Sequence, residues 1–383
     1  MRDTRAYLDY NATAPLRPEA RAAMVDAFEI AGNPSSIHAE GRHARAHVEA
    51  ARRAVGALLS VNPRGVTFTS GGTEAVAFAL HPDIAAPGFS GPARRLIISA
   101  GEHVCALAGH RFPAKDVTSA PLDGDGRIDL AALERLLDTG EGPALLALQA
   151  ANNETGVLQP LERAAALVHA RGGLLFSDAA QIAGRMPFDP RAAGVDALML
   201  SAHKFGGPKG VGAFVAVRDN LRVTTPIFRG GGQERGARAG TENVAGIAGF
   251  GAAAVAAGGK LEGEAERLVA LRTLMEARVR EAAPDAVVFG ERAPRLPNTV
   301  CFAAPGLTAS TLLMRLDLGG VAASSGSACS SGKVALSHVL AAMGVAPELL
   351  GGAIRLSFGW ASRREDVDRF GEVFGQTIAA LRR

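Results

Sequence analysis

Apolar and polar residues recur with two different periods, and stretches of each period alternate along the chain. Residues 20–30 and 44–59 carry apolar side chains at helical spacing, whereas 65–69 (Gly-Val-Thr-Phe-Thr) is a short run bounded by turn residues, as strands are. Short apolar runs at 96–99, 144–149, 174–177, 197–201 and 211–217 predict further strands. Helices fall between several of them. Asp129 is placed to cap a helix over 130–138, whose Leu130, Leu133, Leu136 and Leu137 share one face, and Pro160 opens another over 161–171. Strands that are apolar throughout, alternating with helices, predict an α/β fold with a mostly parallel sheet covered by helices on both sides. Sheets of this kind bind ligands beyond the carboxyl ends of their strands.

From about Gly251 the texture changes. Residues 252–257 and 261–280 read as long helical pattern, followed by shorter strands at 286–289, 299–302 and 353–358. A last helix begins with a capping-box pattern, Ser362 with Glu365, and shows an apolar face of Val367, Phe370, Phe374, Ile378 and Leu381. A second, smaller α+β domain is expected here. The division expected is a large domain over 14–256 and a small one made of 1–13 with 257–383.

Composition narrows the classes. A chain of 383 residues, nearly half of them apolar, can bury a large core and is longer than one typical domain. The formal charge of +3 is small, and the basic residues are scattered, which gives no support for direct nucleic-acid binding. Three cysteines, Cys105, Cys301 and Cys329, stand in unrelated settings. That count argues against a disulfide framework or a zinc site and for a reducing compartment. The first five residues lack the apolar core of a signal peptide, and no apolar stretch is long enough to span a bilayer, so a cytoplasmic protein without a membrane partner is expected.

Candidate chemistry sits at the strand ends. After 65–69 comes Ser70-Gly71-Gly72-Thr73-Glu74, a glycine turn entering a helix, where free N–H groups and a hydroxyl can hold a phosphate. After 96–99 comes Glu102-His103, after 144–149 Asn152-Asn153-Glu154-Thr155-Gly156, and after 174–177 Asp178-Ala179-Ala180-Gln181. Ser201-Ala202-His203-Lys204 then ends the 197–201 run before a glycine-rich turn, which puts one amine where a carbonyl cofactor can be held as a Schiff base. Each has a plain alternative. His103 can be a satisfied structural histidine, Asn153 can close a turn with Gly156, and Asp178 can cap a helix. Cys329 lies in Ser324-Ser325-Gly326-Ser327-Ala328-Cys329-Ser330-Ser331-Gly332, too small and polar for a strand or helix interior, which predicts a mobile loop carrying a thiol. Cys301, between Val300 and Phe302, reads instead as a packed core residue.

These motifs, with Tyr7-Leu8-Asp9-Tyr10-Asn11-Ala12-Thr13, Gly32-Asn33-Pro34-Ser35-Ser36-Ile37-His38, Gly230-Gly231-Gly232-Gln233-Glu234 and Gly240-Thr241-Glu242-Asn243, run in register over nearly the whole chain. Together they resemble the cysteine desulfurases of the nitrogen-fixation and iron–sulfur-cluster type, pyridoxal-phosphate enzymes of the class V aminotransferase group and of fold type I. The resemblance implies that Lys204 is the Schiff-base lysine and moves the substrate Cα proton, that Asp178 pairs with the pyridine nitrogen, and that His103 stacks on the ring as an acid–base group. It implies that Gln181 and Asn153 hold the ring oxygen and the substrate side. Gly72, Thr73, Ser201 and His203 would cradle the phosphate, with Thr241 reaching it from a neighbouring subunit of a homodimer. Arg355, and more weakly Asn11, would meet the carboxylate of L-cysteine, and Cys329 would take its sulfur as a persulfide. The stored sulfur would pass to an iron–sulfur scaffold or sulfur-relay protein. Selenocysteine lysis or another class V reaction is the alternative on the same scaffold. The chain departs from the family pattern at Ala75–Phe78, Gly207 and Ala14, none of them among the proposed chemical groups.

Overall fold

The computed structural model describes residues 5–89, 92–325 and 336–382. Seven strands make the central sheet: β1 (Val66–Thr69), β2 (Arg95–Ser99), β3 (Val117–Ala120), β4 (Ala144–Ala147), β5 (Leu174–Asp178), β6 (Ala197–Ser201) and β7 (Gly212–Ala216). They lie in the order β1-β7-β6-β5-β4-β2-β3. Only β7 runs against its neighbours, β1 and β6, and the other pairings are parallel. Alternate residues feed two separate cores, as a sheet buried on both faces requires. Leu146, Leu198 and Leu200 join one, and Leu145, Ala147 and Met199 the other.

The first core is covered by α2 (Ala39–Leu58), α4 (Leu130–Thr139), α5 (Leu161–His169) and α6 (Val244–Gly258), with α1 (Pro18–Phe28) packed on α6. The second is covered largely by α3 (Gly72–Ala79), whose Ala75, Val76 and Phe78 are buried. That burial accounts for the apolar Ala75–Phe78 continuation of the glycine turn. A further core holds α7 (Leu261–Ala282), α8 (Ala309–Leu318) and α9 (Arg364–Leu381) against a three-stranded antiparallel sheet of β8 (Val287–Val288), β9 (Thr299–Ala303) and β10 (Ile354–Ser357). The short strand Ala6–Tyr7 pairs in parallel with Val321–Ala322 and so joins this last core. Cys301 is buried in β9, as its apolar neighbours predict.

Three elements differ from the sequence reading. The helix expected at 252–257 begins at Val244, where Asn243 caps it by accepting from Gly246 N–H; its run of glycines and alanines hides the apolar face. The edge strand β3 is half exposed and polar, so it shows no apolar run. The capping box expected from Ser362 and Glu365 is displaced by one residue. Ser362 Oγ accepts instead from Gly359 N–H at 3.0 Å, and Asp366 reaches back to Arg363 N–H at 2.8 Å. Among the described residues no single helix is long and apolar enough to cross a membrane.

Candidate active site

Parallel strands expose their carbonyl ends together, so the polar residues after β2, β4, β5 and β6 converge although they are far apart in sequence. They line one cleft of about 460 Å³. Gly72, Thr73, His103, Asn153, Asp178, Gln181, Ser201, His203 and Lys204 all face it. Arg355 and Asn11 border it through one acceptor, the carbonyl of Asn153, to which Arg355 Nη1 and Asn11 Nδ2 each donate at 3.1 Å. Thr241 is exposed and lines a smaller neighbouring cleft of about 210 Å³ with Ser70 and Gly210, so within one chain it does not join the others. Cys329 lies outside the described residues.

Lys204 ends a single helical turn, Ala202–Lys204, directly after β6. Its Nζ donates to the carbonyls of Asn11 at 2.7 Å and Ala12 at 3.1 Å. Burial, then the nearby cations Arg185 and Arg355, push the amine down to about 8, against the pull of Asp178 and Asp9. Asp178 closes β5; its Oδ1 accepts from Ala180 N–H at 2.9 Å, and burial raises its carboxyl to about 6. His103 is held near 4 by burial and by Lys204 and His338, and His203 likewise near 4 by burial, Lys204, Lys209 and Arg185. Both imidazoles are therefore neutral at physiological pH. Glu102, fully buried, accepts from Gln149 N–H at 2.6 Å, and burial with the charge of Asp178 raises it to about 8.

The phosphate turn is built on close packing. A Cβ on Gly72 would come within 3.0 Å of Met199 Cε and 3.4 Å of Ser201 Cβ, so any larger residue would require the Met199 side chain to give way where α3 starts against β6. The first-turn N–H groups of α3 and the hydroxyls of Thr73 and Ser201 then share the same end of the cleft. At the border of the cleft, Arg355 Nη2 pairs with Asp9 at 2.8 Å, while its Nε is buried without a partner among the described residues. A planar donor with an unused edge suits a small carboxylate.

Arg185 is the site residue that the motifs did not reveal. It lies four residues after Gln181 and is 5% exposed, and its guanidinium reaches Asn11, Gln181 and Lys204. The spacing of one helical turn from Gln181 was the only signal for it. A cleft of about 400 Å³ at the opposite, amino-terminal edge of the sheet surrounds Asp196, which is already satisfied by His169 at 2.7 Å and Arg218 at 3.1 Å.

A lysine with a depressed pKa, a buried carboxylate with no ion-pair partner among the described residues, a neutral imidazole and a helix amino-terminus at the carbonyl end of a mostly parallel sheet define a pyridoxal-phosphate enzyme. The residues fit that group: Asp178 lacks the cation that a ring N–H supplies, and α3 presents the donors that a phosphate takes. Residues 6–370 match the model of the aminotransferase class-V family. A cysteine desulfurase of Cereibacter sphaeroides is 43% identical, with 99% of this chain and 97% of that protein covered, and the cysteine desulfurase IscS of Dictyoglomus turgidum is 38% identical over 98% and 95%. A solved NifS-like protein of Rickettsia africae superposes with a TM-score of 0.88 at 30% identity, covering 97% of this chain and 99% of its own. The chain belongs to the class-V aminotransferase family and, within it, to the cysteine desulfurases.

Proposed function

We propose that this chain converts L-cysteine and a protein thiol into L-alanine and a protein persulfide, with Lys204 as the anchoring lysine and Cys329 as the sulfur acceptor. The observation that carries this reading is the Lys204 amine, poised near neutrality and facing Asp178 and His103 across one cleft. At pH 7.4 about a fifth of such amines are free base, against about a thousandth for an ordinary lysine. When bound, pyridoxal phosphate supplies a carbonyl that takes up an amino group and a ring that accepts the electron pair left at the substrate Cα.

The chain's own residues do the rest. Lys204 Nζ takes the proton from Cα and delivers one back on the way to alanine. Asp178, deprived of water by burial, holds a ring N–H through its carboxylate. His103, neutral, accepts or gives a proton beside the substrate. Thr73, Ser201, His203 and the N–H groups of Gly72 and Thr73 hold the phosphate. Asn153 and Gln181 position the ring oxygen and substrate, and Arg355 with Asn11 takes the substrate carboxylate. The Cys329 thiolate attacks the substrate sulfur, a C–S bond breaks as an S–S bond forms, and the carbon ends as the methyl group of alanine.

The described flanks of the Cys329 segment support its part. On one side Ser324 exchanges backbone hydrogen bonds with Arg355, at 3.1 and 2.6 Å. On the other, Ser337 Oγ donates to Glu154 at 2.5 Å and His338 Nε2 lies 2.9 Å from the Glu102 carbonyl. Both flanks are thus tied to Arg355, which borders the cleft, or to the chain neighbours of the cleft residues His103 and Asn153. A homodimer completed by Thr241, an iron–sulfur scaffold or sulfur-relay protein as acceptor, and a cytoplasmic location belong to the same proposal. So does the division into a large domain, 14–256, and a small one, 1–13 with 257–383, which the separate apolar cores support.

The test is peptide mapping by mass spectrometry. Borohydride reduction of the cofactor-loaded protein should fix the cofactor on the Lys204 peptide, and incubation with L-cysteine should add one sulfur to the Cys329 peptide. Label on another lysine, or added sulfur on another cysteine, refutes the assignment.

A further inference from the structure

Arg185 is buried, yet among the described residues none of its hydrogen-bond acceptors carries a charge. Nη1 donates to Asn11 Oδ1 at 2.8 Å, to the Gln181 carbonyl at 3.2 Å and to Gln181 Oε1. Nη2 donates to the carbonyls of Tyr10 at 3.1 Å and Lys204 at 3.0 Å. Among the described residues it makes no ion pair, in contrast to Arg355, which is balanced by Asp9. Removing a cation from water without a counter-charge is costly, so such an arrangement persists only where the fixed charge and its geometry are used.

What the guanidinium fixes is the surroundings of one amine. Lys204 Nζ rests on the carbonyls of Asn11 and Ala12, and Arg185 holds that same stretch through Tyr10 and Asn11. Gln181, pinned by Arg185, adds a second tie by donating from Nε2 to the Asn11 carbonyl at 3.1 Å. The carbonyl of Lys204 itself is the remaining acceptor. One side chain thus binds both the backbone that carries the lysine and the shelf that receives its amine.

We propose that Arg185 is a positioning residue for Lys204: it fixes the lysine's main chain and the carbonyls under its amine, and places an unbalanced cation in that same hydrogen-bond network. This role rests on the reading of Lys204 as the anchoring lysine. The charged and titratable groups around the amine are Arg185, Arg355, Asp178, Asp9, His103, His203 and Cys105, whose thiol is pushed up by burial and stays neutral. The two histidines are neutral, and Asp9 offsets Arg355. Asp178 acts the other way, favouring the charged amine. Among the described residues Arg185 is the cation left without an offset, and it opposes protonation of the amine.

The experiment is a titration of Lys204 in the cofactor-free full-length protein, read as the pH dependence of its trace acetylation by acetic anhydride, with the Lys204 peptide quantified by mass spectrometry. The wild-type midpoint is expected at about 8. Arg185→Gln should raise it by about one unit, the size of a close charge effect, whereas Arg185→Lys, which keeps the charge, should leave it near the wild-type value. An Arg185→Gln midpoint equal to wild type overturns the proposal, as does an Arg185→Lys midpoint raised by the same amount. If Arg185→Gln does not fold by circular dichroism, Arg185→Lys decides: a midpoint near 8 supports the role and a rise of about one unit refutes it. Borohydride mapping of the cofactor to another lysine would overturn the reading of Lys204 while leaving the outcome of this titration intact, so the two failures are told apart.

Discussion

Replacing Arg355 by glutamine tests how the cleft recognises an amino acid. Arg355 is 3% exposed, with Nη2 on Asp9 at 2.8 Å, Nη1 on the Asn153 carbonyl at 3.1 Å and Nε without a partner among the described residues. Glutamine keeps a donor for the carbonyl but loses the charge and the fork. Asp9 is 22% exposed and can turn to water, so folding should be only modestly affected. The loss falls on the substrate carboxylate. A charge-assisted hydrogen bond contributes about 1.5–3 kcal/mol, which at 1.36 kcal/mol per decade is roughly 10- to 150-fold. Because the carboxylate is bound alike before and during reaction, the loss should appear as a raised KM for L-cysteine with kcat changed by no more than about three-fold. The assay is steady-state alanine production against L-cysteine, paired with the rate of absorbance change when the cofactor-loaded protein meets cysteamine, which has the amine and thiol but no carboxylate. Cysteamine should react equally with both proteins. A KM for L-cysteine that stays at the wild-type value, or an equal loss with cysteamine, would refute the assignment of Arg355.

Two further outcomes are expected. Uptake of pyridoxal phosphate by the cofactor-free protein requires the neutral Lys204 amine, so its rate should rise with pH through about 8 and level off above; a rate independent of pH between 6.5 and 9 would contradict the depressed pKa, where the two limits are about 1.5 units below and one above that midpoint. Glu234→Gln leaves Arg52 buried with its bidentate partner neutralised, and also weakens the acceptor of Phe68 N–H. Because Arg52 keeps Glu49 on Nε at 3.1 Å, unfolding by denaturant should show a loss smaller than the roughly 3–5 kcal/mol of a fully uncompensated buried charge, and an unchanged midpoint would count against the Arg52–Glu234 pair.

Local order along the chain was enough to place most of the sheet. Strands β2, β4, β5 and β6 are apolar on both faces, and burial on both faces is what writes a continuous apolar run into a sequence. The glycine turn before α3, and the aspartate, histidine and lysine after their strands, were readable for the same reason: each is fixed by its neighbours in the chain. Edge strand β3 and the glycine-rich α6 were not, because a half-exposed strand and a helix of small residues carry no strong period.

What the amino-acid sequence determined by itself was therefore the alternation of elements, the strand ends that bear chemistry, and the candidate lysine. Tertiary structure decided how those groups behave. Lys204 meets Asn11 across 193 residues, Arg185 meets Asn11 across 174, and the Arg355 guanidinium meets the Asn153 carbonyl across 202. A pKa is set by burial and by charges a few ångströms away, and neither quantity has a local signature. Arg185 looked like a scattered basic residue until the fold removed water from it and brought the Tyr10–Asn11 stretch and the Lys204 carbonyl to its donors.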